Sequence, residues 1–239
     1  MKLAGLLQCY NESSKGNLKR CLTHMSKFCD DIVVLDDAST DDSVQVAREF
    51  TKHVITRQKN EWMQYLKAKQ EITNYALTLN PDWLIWLDGD EVFDRYGEEY
   101  GIRELMKLQG PDGYMMLEYN LWKSLDKYRI DELWFKNWQP RMWKNVEILT
   151  FLDAYGHHNM QHPVNLHSII KSDIKCIHFG FSTEDKINGK YDSYKAVGQK
   201  GNQLERIKSE DGLKLKDFDP EWFPRWLNLQ QESVFTRNH

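Results

Sequence analysis

At 239 residues, 41% hydrophobic and 28% charged, the chain can bury a core without disulfides or a structural metal. A net charge of −4, with Lys and Arg scattered, lacks the basic stripe of a duplex binder and excludes nucleic acid as the expected partner. No apolar run approaches the ~20 residues a membrane-spanning helix needs. Cys9, Cys21, Cys29 and Cys176 show neither C-x-x-C spacing nor zinc-finger histidines, so they read as reduced thiols of a cytoplasmic protein.

In chain order, LAGLLQCY (residues 3 to 10) predicts a strand buried on both faces, and Gln8, Asn11 and Glu12 arrive too early for a signal peptide. An amphipathic helix follows, with Leu18, Cys21, Leu22 and Met25 on its apolar side. DIVVLDDAST repeats the plan: a strand, acids at its end, and Ser39 or Thr40 as cap of the next helix. HVITR is a third strand, EWMQYLKAKQEITNYALTL a helix buried through Trp62, Leu66, Ile72, Tyr75 and Leu79, and PDWLIWL a fourth strand. Strands alternating with helices in this way predict right-handed crossovers and an α/β fold with a parallel sheet covered on both faces. Ligands of such sheets collect at the C-terminal strand ends, where Asp36, Asp37, Asp88 and Asp90 would stand.

Beyond Glu91 the pattern degrades. YGIRELMKLQG reads as helix, GYMMLEYNLW and IKCIHFGF as strands, NWQPRMWKN and AYGHHNMQHPVN as loops or irregular strands. The expected organisation is one domain: residues 1–94 binding a ligand, 95–215 completing the sheet with a smaller irregular region, and an aromatic tail over 216–239. Pro220 stands near a helix start in that tail, which is expected to dock on the body.

In an extended segment Asp88 and Asp90 point the same way, with Gly89 between them leaving room for a ligand. Two carboxylates on one side suit a hard cation, whose remaining ligands come from water and substrate phosphates. Acids just past a strand are also common turn formers.

Together, CYNE, IVVLDDASTDDS, AKQEITNYA and DWLIWLDGDE resemble the nucleotide-binding half of family 2 glycosyltransferases, over roughly residues 3 to 94. HFGFSTEDKINGKYDSY is similar to a C-terminal segment of members that modify lipopolysaccharide cores and related glycans. The resemblance implies the GT-A type of Rossmann-like, mostly parallel sheet, with Cys9, Tyr10 and Glu12 lining the nucleotide pocket and Asp37 contacting base or ribose. It implies that Asp88 and Asp90 are the D-x-D pair holding Mn2+ or Mg2+, Asp90 nearer the metal and Asp88 nearer the ribose. Lys69 stands where many relatives have Arg, and would meet diphosphate as a point charge. The implied reaction is an inverting transfer from a UDP- or GDP-sugar to a hydroxyl of a glycan, lipid-linked or other acceptor, with a carboxylate or His as base and the metal taking up leaving-group charge.

For the base, Asp185, Glu184 and Asp153 lie in suitable territory; Asp185 is favoured, and a helix cap is its other reading. His178 ends an apolar strand and could ligate the metal, bond diphosphate or serve the structure. His157, His158, His162 and His167 lack the spacing of a zinc site. Trp122, Trp134, Trp138 and Trp143 offer apolar planes for a sugar groove, each one singly more at home in core or loop. Arg141 among them could pair with phosphate or an acidic sugar. The tail from Trp222 to Trp226 could touch a membrane surface or form a homodimer contact. Rival functions are a sugar nucleotidyltransferase, for which the Gly-rich loop after the first strand is missing, and a non-catalytic carbohydrate-binding protein that kept the fold.

Overall fold

Alternation along the first strands sorts their side chains into two cores. The computed structural model describes residues 1–61, 64–131, 134, 137–147, 149–151, 162–196 and 202–229. Strand β1 (Leu3–Cys9) sends Leu3, Leu7 and Cys9 to a core shared with Leu18, Cys21, Leu22 and Met25 of helix α1 (Asn17–Met25). Its other face sends Ala4 and Leu6 to a second core with Ala68, Ile72 and Ala76 of helix α3 (Tyr65–Leu77). Strands β2 (Asp31–Asp36) and β4 (Trp83–Trp86) divide likewise, Val34, Trp83 and Ile85 to one side and Val33, Leu84 and Trp86 to the other. Each fully buried indole removes on the order of 200 Å² from water, about 5 kcal/mol before conformational entropy is counted. Gly5 lets α1 lie close, since a Cβ there would stand 2.4 Å from Met25 Cε.

Strands β3 (His53–Thr56), β2, β1 and β4 pair in parallel in that order, as the alternating pattern predicts. Two local expectations need correction. Helix α2 (Ser43–Phe50) is not capped by Ser39 or Thr40; Asp42 holds the cap position, and the Ser39 hydroxyl accepts from the Asn11 N–H at 2.9 Å. Helix α3 faces the sheet with Ala68, Lys69, Ile72, Thr73 and Ala76, a stripe of smaller residues, and Tyr75 is 38% exposed. Trp62, expected on that buried side, lies outside the described residues.

The second half continues the same sheet. Next to β4 lies antiparallel β8 (Trp138–Lys144), then antiparallel β6 (Gly113–Asn120), then β9 (Ile169–His178) parallel to β6, with short β5 (Glu91–Phe93) at the far edge. The segment NWQPRMWKN is therefore an interior strand, the second of its two readings, with a register shift in its pairing to β6. The segment read as helix after Tyr96 is a π-turn, Gly97–Gly101, running into the single turn α4 (Ile102–Leu105). Helices α5 (Glu184–Ala196) and α6 (Asn202–Lys208) follow β9, and a two-stranded ribbon joins β10 (Leu215–Asp217) to β7 (Lys127–Arg129).

The described tail docks on the body. Phe218, Phe223 and Leu227 are buried with Val92, Ile177 and Phe179, and the Trp226 indole donates to Glu98 Oε2 at 2.6 Å. Its aromatic faces are spent on β5 and β9, which takes Phe223 from any membrane or homodimer contact and leaves Trp222 and Trp226 half-buried. Among the described residues no helix is long and apolar enough to cross a membrane.

Candidate functional site

The segment between β4 and β5 is a turn, not an extended strand end. The Glu91 N–H donates to Asp88 O at 3.0 Å and the Asp88 N–H donates back to Glu91 Oε2 at 3.0 Å. In this turn the two carboxylates take different partners. Asp88 Oδ1 accepts from the Trp86 indole at 2.9 Å and Oδ2 lies 3.3 Å from Arg141. The Asp90 carbonyl accepts from the Phe179 N–H at 2.8 Å, which fixes the turn against the end of β9.

There Asp90 meets His178. Asp90 Oδ2 is 3.2 Å from His178 Nε2, and His178 Nδ1 is bonded to Asn120 Oδ1 at 2.6 Å. With Nδ1–H donating to Asn120 Oδ1, Nε2 is left with its lone pair facing Asp90 and Lys190. Two acceptors this close need a positive group between them. Lys190 Nζ supplies it, 2.9 Å from Asp90 Oδ2 and 3.0 Å from His178 Nε2. Burial pushes the Asp90 carboxyl up, but the Lys190 ammonium foremost outweighs it and holds the group well below the usual carboxylate range. Gly180 makes room: a Cβ there would stand 2.5 Å from Asp90 Oδ2 and 2.3 Å from Lys190 Cε.

The separation of Asp90 Oδ2 and His178 Nε2, 3.2 Å, is close to the ~3.0 Å between adjacent ligands of an octahedral ion with bonds of ~2.1 Å. A carboxylate oxygen and an imidazole lone pair converging in this way fit a divalent metal, and the imidazole favours Mn2+ over Mg2+. Asp88 is not part of that convergence. Among the described residues no group of three His, Cys, Asp or Glu side chains forms a metal shell, so further ligands would have to come from substrate and water.

Beside the turn lies a buried ionic cluster. Arg141, 2% exposed on β8, pairs with Glu91, which is 1% exposed, and lies 3.3 Å from Asp88 and 3.8 Å from Glu118. Burial opposes its charge, and Glu91 and Asp88 more than offset that, raising its pKa above the usual value. Arg141 is thus committed to carboxylates of its own chain, not to a phosphate or acidic sugar. Glu118 Oε1 also lies 3.7 Å from His178 Nδ1. Lys69 is wholly buried, its ammonium 4.3 Å from the Trp86 ring centroid and 4.9 Å from that of Tyr65. Burial lowers its pKa to about 7 against the pull of Asp88.

The loops after β1 and β2 form the other wall. Asp37 is fully buried and accepts from Arg57 Nη1 at 3.3 Å, the Glu61 N–H at 3.1 Å and Gln8 Nε2 at 3.5 Å. Cys9 is corrected: its thiol is sealed in the core, 3.7 Å from Asp36 Oδ1, and burial raises its pKa far beyond the usual thiol range, so it lines no pocket. Tyr10 is 36% exposed. Glu12 bonds Lys15 at 2.7 Å and Asn17 at 2.8 Å, and stands against the D-x-D turn, its Cγ 3.2 Å from where a Cβ of Gly89 would be. Asn11, in left-handed conformation, staples the two loops by accepting from the Thr40 N–H at 2.8 Å.

Asp185 is an exposed residue of the first turn of α5, where the Thr183 hydroxyl takes the cap by accepting from Lys186 N at 3.2 Å. Five residues separate it from Lys190, about 140° around a helix of 3.6 residues per turn, so it stands off the side that meets Asp90. Glu184 is exposed and pairs with Lys123 at 3.0 Å. Asp153, His157 and His158 lie outside the described residues. His162 Nδ1 is 2.8 Å from Pro163 O and His167 is exposed. The four tryptophans do not form one groove. Trp122 and Trp134 pack with Phe181, Trp143 is core against Phe151, and Trp138 carries Lys171 at 4.8 Å. Lys190, Asn120, Glu118 and Asn11 are the residues sequence reasoning missed; only the apolar strand ending at His178 hinted at that cluster. A cavity of about 460 Å³ lies elsewhere, along Asp94 to Tyr100, Lys175 and Trp222.

A mostly parallel α/β sheet with acids grouped at its C-terminal ends defines the class, the GT-A type. Residues 6–108 match the model of Glycosyl transferase family 2. It is 25% identical over 151 residues to an uncharacterized glycosyltransferase of Rickettsia prowazekii, covering 63% of this chain and 46% of that one. It is 28% identical over 86 residues to the SPbeta prophage-derived glycosyltransferase SunS of Bacillus subtilis, covering 36% and 19%. The chain spans less than half the length of these relatives. The crystal structure of S. aureus TarS, residues 1–349, superposes with a TM-score of 0.54 at 13% identity, covering 87% of this chain and 69% of that one, a likeness of fold.

Proposed function

We propose that the chain transfers a sugar from a nucleotide-sugar donor, a UDP- or GDP-sugar, to an acceptor hydroxyl with inversion, and that the reaction depends on Mn2+. The observation that carries this is the convergence of Asp90 Oδ2 and His178 Nε2 at 3.2 Å, at the C-terminal rim of the sheet, beside the half-exposed Asp88. These two residues would hold the ion, with Asp88 turned toward the ribose. When bound, the ion supplies positive charge for the departing nucleoside diphosphate.

The chain's own groups do the rest. Asn120 orients His178 by accepting a hydrogen bond from its Nδ1–H. Arg141 holds Asp88 and Glu91 in place, and Lys69, poised near neutrality beside Asp88, presents a cation to the nucleotide side. Asp37 gives the nucleotide site its floor, through the Arg57 and Glu61 groups it gathers; Tyr10 and Glu12 form its wall. A carboxylate of the acceptor side takes the hydroxyl proton as the bond to the sugar forms. Asp185 is the proposed base, with Glu184 and Asp153 as its alternatives; Asp185 and Glu184 are both exposed at the head of α5. The acceptor is a glycan, a lipid-linked glycan or another hydroxyl compound, and four free cysteines support a cytoplasmic setting, with or without contact at a membrane surface.

The test is a panel of UDP-, GDP- and CMP-sugars with Mn2+, following release of the nucleoside di- or monophosphate. Mn2+-dependent release that Asp90→Asn lowers by about 10³-fold or more supports the reading. Release equal in the variant, or consumption of a nucleoside triphosphate with sugar phosphate, defeats it.

A further inference from the structure

We propose that Lys190 is a stand-in cation: its ammonium holds Asp90 and His178 together until the divalent ion takes both atoms, and then moves to the donor's diphosphate. This rests on the metal-dependent reading above. It concerns a residue on a different element, α5, that the D-x-D turn does not contain.

The argument begins with distances. Lys190 Nζ lies 2.9 Å from Asp90 Oδ2 and 3.0 Å from His178 Nε2, which are themselves 3.2 Å apart. The ammonium therefore already bonds the two atoms that an ion would need. An ion bonded to both at ~2.1–2.2 Å could lie at most about 4 Å from Nζ in its present place, and on the near side would overlap it. An ammonium and a dication that close repel strongly, and the single lone pair of His178 Nε2 cannot serve both. One must leave when the other binds.

Lys190 is built to leave. Its stem crosses bare Gly180, where no Cβ obstructs it, and its side chain is still 25% exposed. Lysine is a flexible four-carbon arm ending in three rotatable donors, so it can change partners without moving its helix. Ile187, 2% exposed, and the contacts of α5 with α6 hold the backbone meanwhile. Displaced from Asp90, the ammonium needs an anion within the reach of its arm, and a diphosphate bound through the same ion offers one. Metal entry and diphosphate capture are thereby coupled through one side chain.

The test uses the whole chain and two binding measurements: Mn2+ alone, followed by loss of the free Mn2+ electron paramagnetic resonance signal, and UDP at saturating Mn2+, by calorimetry. Lys190→Met and Lys190→Gln are compared with the unaltered protein, each verified by its melting curve. The expected result is Mn2+ affinity raised about tenfold or more in both variants, since the competing charge is gone, and UDP affinity lowered by about tenfold. Mn2+ affinity unchanged or weaker in both variants overturns the exchange, and unchanged UDP affinity overturns the move to diphosphate. Protein that shows the expected binding yet turns over no nucleotide sugar would refute the transfer reading and leave the exchange standing.

Discussion

Lys69→Met tests the electrostatics of the nucleotide side through stability. Lys69 is buried, and its pKa falls from 10.5 to about 7 in the folded chain, burial outweighing the attraction of Asp88. Between those values the unfolded chain holds a proton that the folded one has lost. Stability must therefore rise with pH across this window, by up to about 1.4 kcal/mol per pH unit from this group. From pH 7.5 to 9.5 that amounts to roughly 2–3 kcal/mol. The thiols of Cys9, Cys21, Cys29 and Cys176 work the other way: burial raises their pKa values, so the unfolded chain loses those protons first and stability falls as pH rises. The measurement is accordingly a difference of differences. Urea unfolding of the parent and of Lys69→Met, under reducing conditions at both pH values, isolates the lysine, because the thiols cancel. The parent should gain roughly 2–3 kcal/mol relative to the variant on going to the higher pH. Equal pH dependence in the two would mean that Lys69 keeps its proton when buried, and the placing of a near-neutral amine beside Asp88 would be wrong.

Three further outcomes follow from the geometry. Gly180→Ala should lower Mn2+ affinity and melting temperature together, because the new methyl meets Asp90 Oδ2 at 2.5 Å, an overpacking worth about 1–3 kcal/mol; a variant identical to the parent in both would show that the glycine is not needed there. Arg141→Met should cost about 3–5 kcal/mol in urea unfolding at pH 7, since Glu91 is left buried without its partner; a loss under about 1 kcal/mol would mean the cluster is already neutral. Asp185→Asn should remove transfer to the acceptor while Asp153→Asn keeps it, read as initial rates with the best donor; the reverse order would move the base to Asp153.

The parallel half of the sheet was legible because β1, β2 and β4 are short apolar runs buried on both faces, with acids after them. Strand β8 was not, since Pro140 and Arg141 interrupt its apolar character, and Arg141 is tolerated inside only because Glu91, Asp88 and Glu118 come to it from distant segments. The D-x-D acids stand at the rim of the sheet, but in a turn: periodicity of two assumes an extended chain, and hydrogen bonds between Asp88 and Glu91 make a turn instead. His178 could be singled out as the end of an apolar strand. Lys190 could not, because nothing local in KINGKYDSY distinguishes one lysine from the next; only the packing of α5 over Gly180 selects it. Cys9 shows the opposite error, a residue next to the site in sequence whose side chain the strand's alternation turns into the core.

The most direct measurement is a crystal structure with UDP and Mn2+, using the anomalous signal of manganese. The account predicts a manganese peak bonded to both Asp90 Oδ2 and His178 Nε2, with the diphosphate on the same ion and Lys190 turned onto a phosphate oxygen. A peak elsewhere, or UDP bound while Lys190 still bridges Asp90 and His178 with no manganese between them, would contradict it.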